Sequence, residues 1–108
     1  MSYLIIQTCT DSLSTAKTIA KEIVDTNLSP CVHIINAPNV MYKWEGKTIS
    51  TKEYIIQIKS NDIVKKKTIS LIKKLHNYNN PELLSKKINL ESDEYEKWFN
   101  KEMDFNVL

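Results

Sequence analysis

The sequence predicts an α+β fold of the ferredoxin-like type, a βαββαβ sandwich with a long central hairpin and an extra C-terminal helix. Strand-like and helix-like segments follow one another in that order along the chain. The only glycine, Gly46, lies between the two middle strand-like runs and marks a tight hairpin turn. A chain of 108 residues has room for one core, so residues 1–108 are predicted to form a single domain.

The first two elements are an alternating strand and an amphipathic helix. Residues 3–8 alternate in polarity and are rich in β-formers, which predicts a strand. Asp11 or Ser12 then offers a side-chain oxygen for an N-cap. Apolar residues recur at three- and four-residue spacing after it, which predicts a helix over residues 12–27 that ends before Pro30.

The middle of the chain predicts a long hairpin. Residues 31–35 form a nearly continuous apolar run, typical of a central strand. Pro38 cannot donate to a ladder, so a bulge or bend is expected at residues 36–39. Gly46 is expected to have φ > 0, since glycine reaches that region without steric cost. Residues 48–58 form the partner strand, and two strands of about a dozen residues exceed the usual length and must project beyond the core.

The C-terminal half repeats the alternation of helix and strand. Asp62 is expected to cap a second helix, which ends near His76. A loop at residues 79–81 leads into a short strand over residues 82–90. Ser92 then opens a third helix, where nearby acidic residues resemble a capping arrangement.

Composition argues against several classes of protein. All 15 basic residues are lysines, and the formal net charge is only +2. Without the planar guanidinium of arginine, specific recognition of phosphate or guanine is disfavoured, so we expect no nucleic-acid partner. A single glycine cannot build a glycine-rich phosphate loop. No apolar run approaches the roughly 20 residues of a membrane span, so we expect no membrane insertion.

The cysteines and the start of the chain predict the compartment. Cys9 and Cys31 have apolar or small neighbours, which favours free buried thiols over a disulfide. Residues 1–6 lack a basic region, and Ile5 already belongs to a strand pattern, so no signal peptide is expected. Together these features predict a cytoplasmic protein.

Aromatic side chains along the hairpin predict an oligomer. Tyr42, Trp44 and Tyr54 lie on strands that are too long for a small core to cover. They expose aromatic surface unless another subunit covers them. Tyr42 and Tyr54 are therefore expected to contact a neighbouring subunit, and Trp44 either anchors that interface or forms a ligand-binding pair with Tyr42.

Three segments of the chain carry a family resemblance. They are Cys31-Val32-His33-Ile34-Ile35, Tyr42-Lys43-Trp44-Glu45-Gly46-Lys47 and His76-Asn77-Tyr78-Asn79-Asn80-Pro81-Glu82. In this order and spacing they resemble the CutA proteins, the divalent-cation tolerance family, and the resemblance extends from Tyr3 to Trp98. One position departs from the pattern: Asn77 stands where the family usually has proline, which frees a backbone donor and is expected to loosen the loop.

The resemblance implies an assembly and a role. It implies a ferredoxin-like subunit in a tight homotrimer, related in shape to the PII signalling proteins and linked to tolerance of copper and other divalent metals. Because the family is not known as a set of enzymes, we expect a binding or signalling protein rather than a catalyst. A PII-like trimer has three clefts between subunits. The residues expected to line them are Trp44, Glu45, His76, Tyr78 and Glu82.

The segment from His76 to Glu82 has two interpretations. His76, Tyr78 and Glu82 lie where a helix ends and a strand begins, and Pro81 fixes the approach to Glu82. An imidazole, a phenol and a carboxylate that converge could bind a small ligand. In the alternative, His76 caps the C-terminus of the helix and Glu82 ties the loop to the neighbouring subunit.

Metal binding is a separate hypothesis. Thiolate and imidazole suit copper(I), and Cys9 and His76 end a strand and a helix that could meet at one edge of the sheet. We therefore expect copper, where it binds, to use Cys9 and His76, whereas Cys31 should be a buried core residue and His33 a packed or interface residue. No Cys-x-x-Cys spacing exists, so the thiols could equally be plain core residues.

Two further functions compete with a metal-linked binding protein. One is a small oligomeric enzyme that uses His76 as acid or base and Glu82 as its orienting partner. The other is a structural trimer that scaffolds a partner. The lysine runs at residues 65–67 and 73–74 are expected to form the solvated face of the second helix, with a phosphate ligand as the alternative.

Overall fold

The secondary structure follows the predicted order. A computed structural model describes residues 1–104. The elements are β1 (Tyr3–Thr10), α1 (Leu13–Asp25), β2 (Cys31–Trp44), β3 (Lys47–Asn61), α2 (Lys65–Leu75), β4 (Leu84–Ile88) and α3 (Asp93–Met103). None of the helices formed by these residues is long and apolar enough to cross a membrane. The α+β, ferredoxin-like class predicted from the sequence is confirmed.

The four strands form one antiparallel sheet in the order β2-β3-β1-β4. Ile6 pairs with Ile58 across β1 and β3. The prediction that residues 31–35 form a central strand is wrong, because β2 lies at one edge of the sheet. Val32 and Ile34 pack against the core. The side chains that alternate with them along β2 face the other way, where neither α1 nor α2 covers them.

One face of the sheet carries the hydrophobic core. Alternate residues of β1 and β3 are buried, as the period of a strand that is covered on one side requires. They pack with the apolar sides of α1 and α2 into a single cluster, which contains Leu4, Ile6, Ala16, Ile19, Ile23, Leu28, Ile56, Ile58 and Ile72. Both helices therefore lie on this face.

The opposite side of the sheet, here called the open face, is not covered by α1 or α2. Its side chains come from the positions that alternate with the core: Ile5, Gln7, Cys9, Cys31, His33, Ile35, Glu53, Ile55, Gln57, Lys59, Leu84, Lys86 and Ile88. α3 covers the end near Tyr3, whose hydroxyl donates to Glu96 Oε2 at 2.7 Å. Phe99 is fully buried against the Tyr3 ring, with the two centroids 5.3 Å apart.

The central hairpin projects beyond the core. β2 has 14 residues and β3 has 15, and the longest dimension of the molecule is 49 Å. The register shifts between Ala37 and Val40, which confirms the bulge predicted around Pro38. At the tip, Glu45 has φ 48° and Gly46 has φ 77°, as a two-residue type I′ turn requires. The positive φ of Gly46 is confirmed, and that of Glu45 was not predicted.

The helix starts confirm two predicted caps and correct a third. Ser12 Oγ accepts the Thr15 N–H at 3.1 Å, and Ser92 caps α3 in the same way. Asp62 does not cap α2, because its carboxylate accepts the Ser2 N–H at 2.9 Å. Asn61 Oδ1 instead accepts the N–H groups of the next turn, at 3.0 and 3.2 Å. β4 is also shorter than the predicted strand over residues 82–90.

Replacing Gly46 should strain the hairpin turn. A Cβ at Gly46 would have no atom within 4 Å, so only the positive φ opposes a side chain there. Gly46→Val should therefore lower the free energy of unfolding by at least about 1 kcal/mol. Gly46→Asn should cost less, because asparagine tolerates this region of φ. Urea unfolding at one fixed protein concentration measures both changes, and equal stability of Gly46→Val and the wild type would contradict the argument.

Candidate functional site at the end of the first strand

The predicted site residues of the second half of the chain gather at the end of β1. α2 ends at Leu75, and the loop over residues 76–83 folds back against the junction of β1 and α1. This loop links α2 to β4, which pairs with β1 on its other side. Side chains from β1, β3 and the loop therefore meet in one cluster.

His76 fastens the loop to β1. Its Nε2 lies 2.9 Å from the Cys9 carbonyl oxygen, and its Nδ1 accepts the Tyr78 N–H at 3.0 Å. Because a carbonyl only accepts and a backbone N–H only donates, the network assigns the neutral tautomer with the proton on Nε2. The ring does not bind the helix carbonyls, so the alternative in which His76 caps α2 with its side chain is not what the structure has.

Tyr78 connects three segments through its hydroxyl. The hydroxyl donates to Glu53 Oε2 at 2.9 Å and accepts the Asp11 N–H at 2.9 Å. Glu53 is only 5% exposed, so this phenol supplies a hydrogen bond that the desolvated carboxylate needs. Burial, followed by the hydrogen bond to Glu53, raises the pKa of Tyr78 above its ordinary value.

Cys9 presents its thiol to the open face between two carboxylates. Burial raises the pKa of the Cys9 thiol to about 12, and the charges of Glu82 and Glu53 add to the effect. Cys9 is therefore a thiol at neutral pH. Because the thiolate is the form that ligates metals and attacks electrophiles, the raised pKa of Cys9 lowers its reactivity.

A polar row crosses the open face from Glu82. Glu82 Oε2 accepts from Gln7 Nε2 at 3.3 Å, and Gln57 Nε2 donates to Gln7 Oε1 at 3.1 Å. His33, an exposed residue of β2, pairs in register with Gln57. The row lies on the side of the sheet that the helices α1 and α2 leave uncovered, so an adjoining molecule could contact it.

Asn77 holds the loop by its side chain. Its Nδ2 donates to Asp11 Oδ1 at 2.9 Å, and its Oδ1 accepts from Thr10 Oγ1 at 2.6 Å. That asparagine in place of proline loosens the loop stays a prediction, and both ends of the amide bind the junction of β1 and α1.

The hairpin residues lie far from this cluster within one chain. Trp44 pairs with Lys47 at the tip of the hairpin, six residues along β3 from Glu53. At ~3.4 Å per residue the separation is about 20 Å. Tyr42 and Trp44 are exposed at the tip, together with Glu45. Tyr54, by contrast, is partly buried, because it packs against the core of its own chain.

The candidate metal ligands are dispersed over the described part of the chain. Across residues 1–104, no three side chains of the types that ligate metals are grouped to hold an ion. Both nitrogens of His76 are occupied within the chain. The expected deep burial of Cys31 is wrong, because Cys31 starts an edge strand on the open face, half-buried, 3.8 Å from Lys59 Nζ. Both cysteines are free, as predicted.

Sequence reasoning missed three residues of the cluster. Glu53 belongs to a long strand, where a single acidic residue normally faces solvent. Only its burial in the structure shows that it belongs to the cluster. Gln7 and Gln57 alternate with core residues and gave no chemical signal beyond their polarity. Nothing in the local pattern of the sequence joins Glu53 to a tyrosine 25 positions away.

The fold and the cluster define a ferredoxin-like α+β domain with a projecting hairpin and an open sheet face. The sequence profile of the CutA1 divalent ion tolerance protein matches residues 4–102, and the chain belongs to this family. The family is implicated in tolerance to divalent cations. The resemblance found in the three sequence segments is confirmed.

Individual relatives agree with this assignment. The chain is 31% identical to the divalent-cation tolerance protein CutA of Thermus thermophilus over 83 residues, which cover 77% of this chain and 81% of the relative. The crystal structure of CutA from Xylella fastidiosa superposes with a TM-score of 0.89 at 28% identity and covers 96% of this chain and 100% of that one. The structure of the divalent cation tolerance protein from Thermus thermophilus gives a TM-score of 0.87 at 26% identity, covering 94% of this chain and 99% of that one.

The Cys9 thiol should make stability depend on alkaline pH. Its pKa is raised from 9.0 to about 12 in the folded chain, so the unfolded chain loses this proton first as the pH rises. The stabilisation is complete below pH 9 and disappears as the pH rises through the folded value. Raising the pH from about 8 to about 10 should therefore lower the free energy of unfolding, less so in Cys9→Ala.

Glu82→Gln is a second variant for the same measurement. It removes one of the charges that raise the pKa of Cys9, so its loss of stability should lie between those of the wild type and Cys9→Ala. Chemical unfolding at fixed protein concentration and matched ionic strength gives the comparison. The same pH dependence in the wild type and Cys9→Ala would contradict the argument.

Proposed function

We propose that this protein is a cytosolic, PII-like homotrimer that acts in tolerance to divalent metals, copper among them, and binds a small ligand or a protein partner in the clefts between its subunits. Family membership supports the link to metal tolerance. The two free thiols support a reducing compartment. The observation that carries the proposal is the pairing of a projecting aromatic hairpin with an uncovered sheet face.

The hairpin needs a second molecule to cover it. Met41, Tyr42 and Trp44 are 73%, 44% and 57% exposed. An isolated two-stranded ribbon is marginally stable in water, and this one extends past the bulge without a core beneath it. Tryptophan and tyrosine at such a tip are typical interface anchors. A neighbouring copy that receives the tip removes both the exposed rings and the exposed strand edges.

The open face supports the same conclusion from the opposite side of the chain. Ile35 and Leu84 are 40% and 54% exposed there, and α3 covers only the end near Tyr3. A sheet face of this kind is normally packed against another layer. A head-to-tail contact between two copies leaves one interface free at each end. Three copies related by a threefold axis use every such interface and close the assembly.

The clefts would combine residues from two subunits. Cys9, Tyr78 and Glu82 belong to the cluster at the end of β1, whereas Trp44 and Glu45 lie about 20 Å away on the same chain at ~3.4 Å per strand residue. They can meet only if the hairpin tip comes from a neighbour. Such a cleft would be lined by an aromatic side chain and several carboxylates. This lining favours a ligand with cationic groups or hydrogen-bond donors.

Copper is the metal that the cysteine thiols would favour, since copper(I) prefers thiolate. Residues 1–104 of one subunit do not group three ligands, so a bound ion would draw its donors from more than one subunit. A cation close to Cys9 would also favour loss of the thiol proton, against the effect of the two carboxylates.

The catalytic alternative has less support from the geometry. His76 bonds the Cys9 carbonyl and the Tyr78 N–H, and Glu82 bonds Gln7. The acid–base pair that an enzyme would need from His76 and Glu82 is therefore not formed in the chain.

Ligand-dependent melting distinguishes a binding trimer from a structural scaffold, because a ligand that binds the folded state raises the melting temperature.

Trp44→Ala should weaken the trimer. Loss of an aromatic anchor typically costs roughly 2 kcal/mol or more per interface. Sedimentation velocity over a dilution series should show a trimer for the wild type and dissociation of the variant at concentrations where the wild type stays assembled. Ile63→Ala, which truncates another exposed apolar side chain away from the hairpin tip, is the matched control. A wild-type chain that is a stably folded monomer at every concentration would refute the trimer.

Copper(I) binding should depend on Cys9. Titration of the reduced protein against a competing chromogenic chelator should show binding in the wild type and in Cys31→Ser. Binding should be lost in Cys9→Ser, which removes the thiol, and in His76→Ala, which releases the loop that His76 holds against Cys9. Circular dichroism confirms that each variant is folded. Equal copper(I) affinity in the wild type and in a Cys9→Ser, His76→Ala double variant would show that copper(I) does not bind directly at this cluster.

A further inference from the structure

A groove lies between α2 and the segment that follows α1, on the side of the molecule away from the open face. Its volume is about 390 Å³, and its lining is Thr26, Leu28, Lys67, Ser70, Leu71 and Lys74. Leu28 and Leu71 form an apolar floor, and the two lysines stand at its rim. We call it the helix groove.

The positive charge of the chain is concentrated beside this groove. α2 contains five lysines and no acidic residue, so the rest of the chain has ten lysines against 13 acidic residues and is net negative. Within residues 1–104 the ion pair formed is Lys21–Asp25 on α1, and no lysine of α2 has an acidic partner there. Three of the five lie in the first turn of α2, where the helix dipole disfavours cations.

The groove has a regular geometry along α2. Lys67, Leu71 and Lys74 are spaced by four and three residues, so they share one side of the helix. The two lysines are seven residues apart, about 10 Å along the axis, with the leucine between them. A helix that carries acidic residues with the same separation and leucines between them would match both charge and shape.

We propose that the helix groove binds an acidic amphipathic helix of a partner protein. The apolar floor receives the leucines of that helix, and Lys67 and Lys74 pair with carboxylates at either end, the usual arrangement of a helix in a groove. The concentration of unpaired cations on α2 favours an anionic occupant. The groove lies on the sheet face opposite the one that the proposed trimer would bury, so the inference does not depend on the trimer.

Two charge-reversal variants test the proposal. The probe is a fluorescein-labelled synthetic peptide with glutamates a heptad apart that flank a leucine pair, and its binding to the full chain is followed by fluorescence anisotropy at low salt. Lys67→Glu with Lys74→Glu reverses both rim charges. Lys66→Glu with Lys73→Glu makes the same change at the same spacing on the same helix, outside the groove, and is the matched control. Circular dichroism and melting confirm that both variants fold.

The rim variant should weaken peptide binding roughly tenfold or more, because two attractive pairs become repulsive, while the control variant should change it far less. A peptide with lysines in place of the glutamates should not bind the wild type. Equal losses in both variants, or no binding of the acidic peptide, would overturn the proposal. Binding to phosphatidylserine vesicles that both variants weaken equally, without peptide binding, would assign the charge of α2 to a membrane surface instead.

Discussion

The structure depends on one constraint, which is that this chain has helices to cover only one face of its sheet. In β1, Leu4 and Ile6 pack under α1 and α2, and the residues between them necessarily point the other way. α3 is too short to cover more than the end near Tyr3. The open face and the position of the polar cluster on it both follow from this unequal coverage.

The cluster at the end of β1 shows how the fold keeps a desolvated carboxylate. Burying Glu53 without partners would cost several kcal/mol, on the order of 2–7 for a polar group without hydrogen bonds and more for a charge. Tyr78 offsets part of that cost, and the Asp11 N–H in turn binds the tyrosine oxygen. The tyrosine is held in place because His76 fixes the loop to the Cys9 carbonyl. The ordering of the loop after α2 and the burial of Glu53 therefore depend on each other.

Local signals in the sequence predicted more than long-range ones. Ser12, Ser92 and Gly46 act through their own backbone neighbourhood, so caps and turn could be predicted. The edge position of β2 could not, because the run over residues 31–35 is apolar apart from His33, which is the pattern typical of a central strand. The partner of Glu53 could not be predicted either, since it depends on how the loop after α2 packs.

Asn77 achieves by contacts what a proline achieves by restricting the unfolded chain. Proline reduces the conformational entropy lost on folding, whereas asparagine leaves that cost and offsets it with hydrogen bonds in the folded state. Those bonds go to Thr10 and Asp11, and Thr10 Oγ1 also accepts the Ser12 N–H at 3.1 Å. Ser12 in turn caps α1. In this chain the order of the loop that carries His76 is thus coupled to the start of α1, a dependence that a proline at this position would not create.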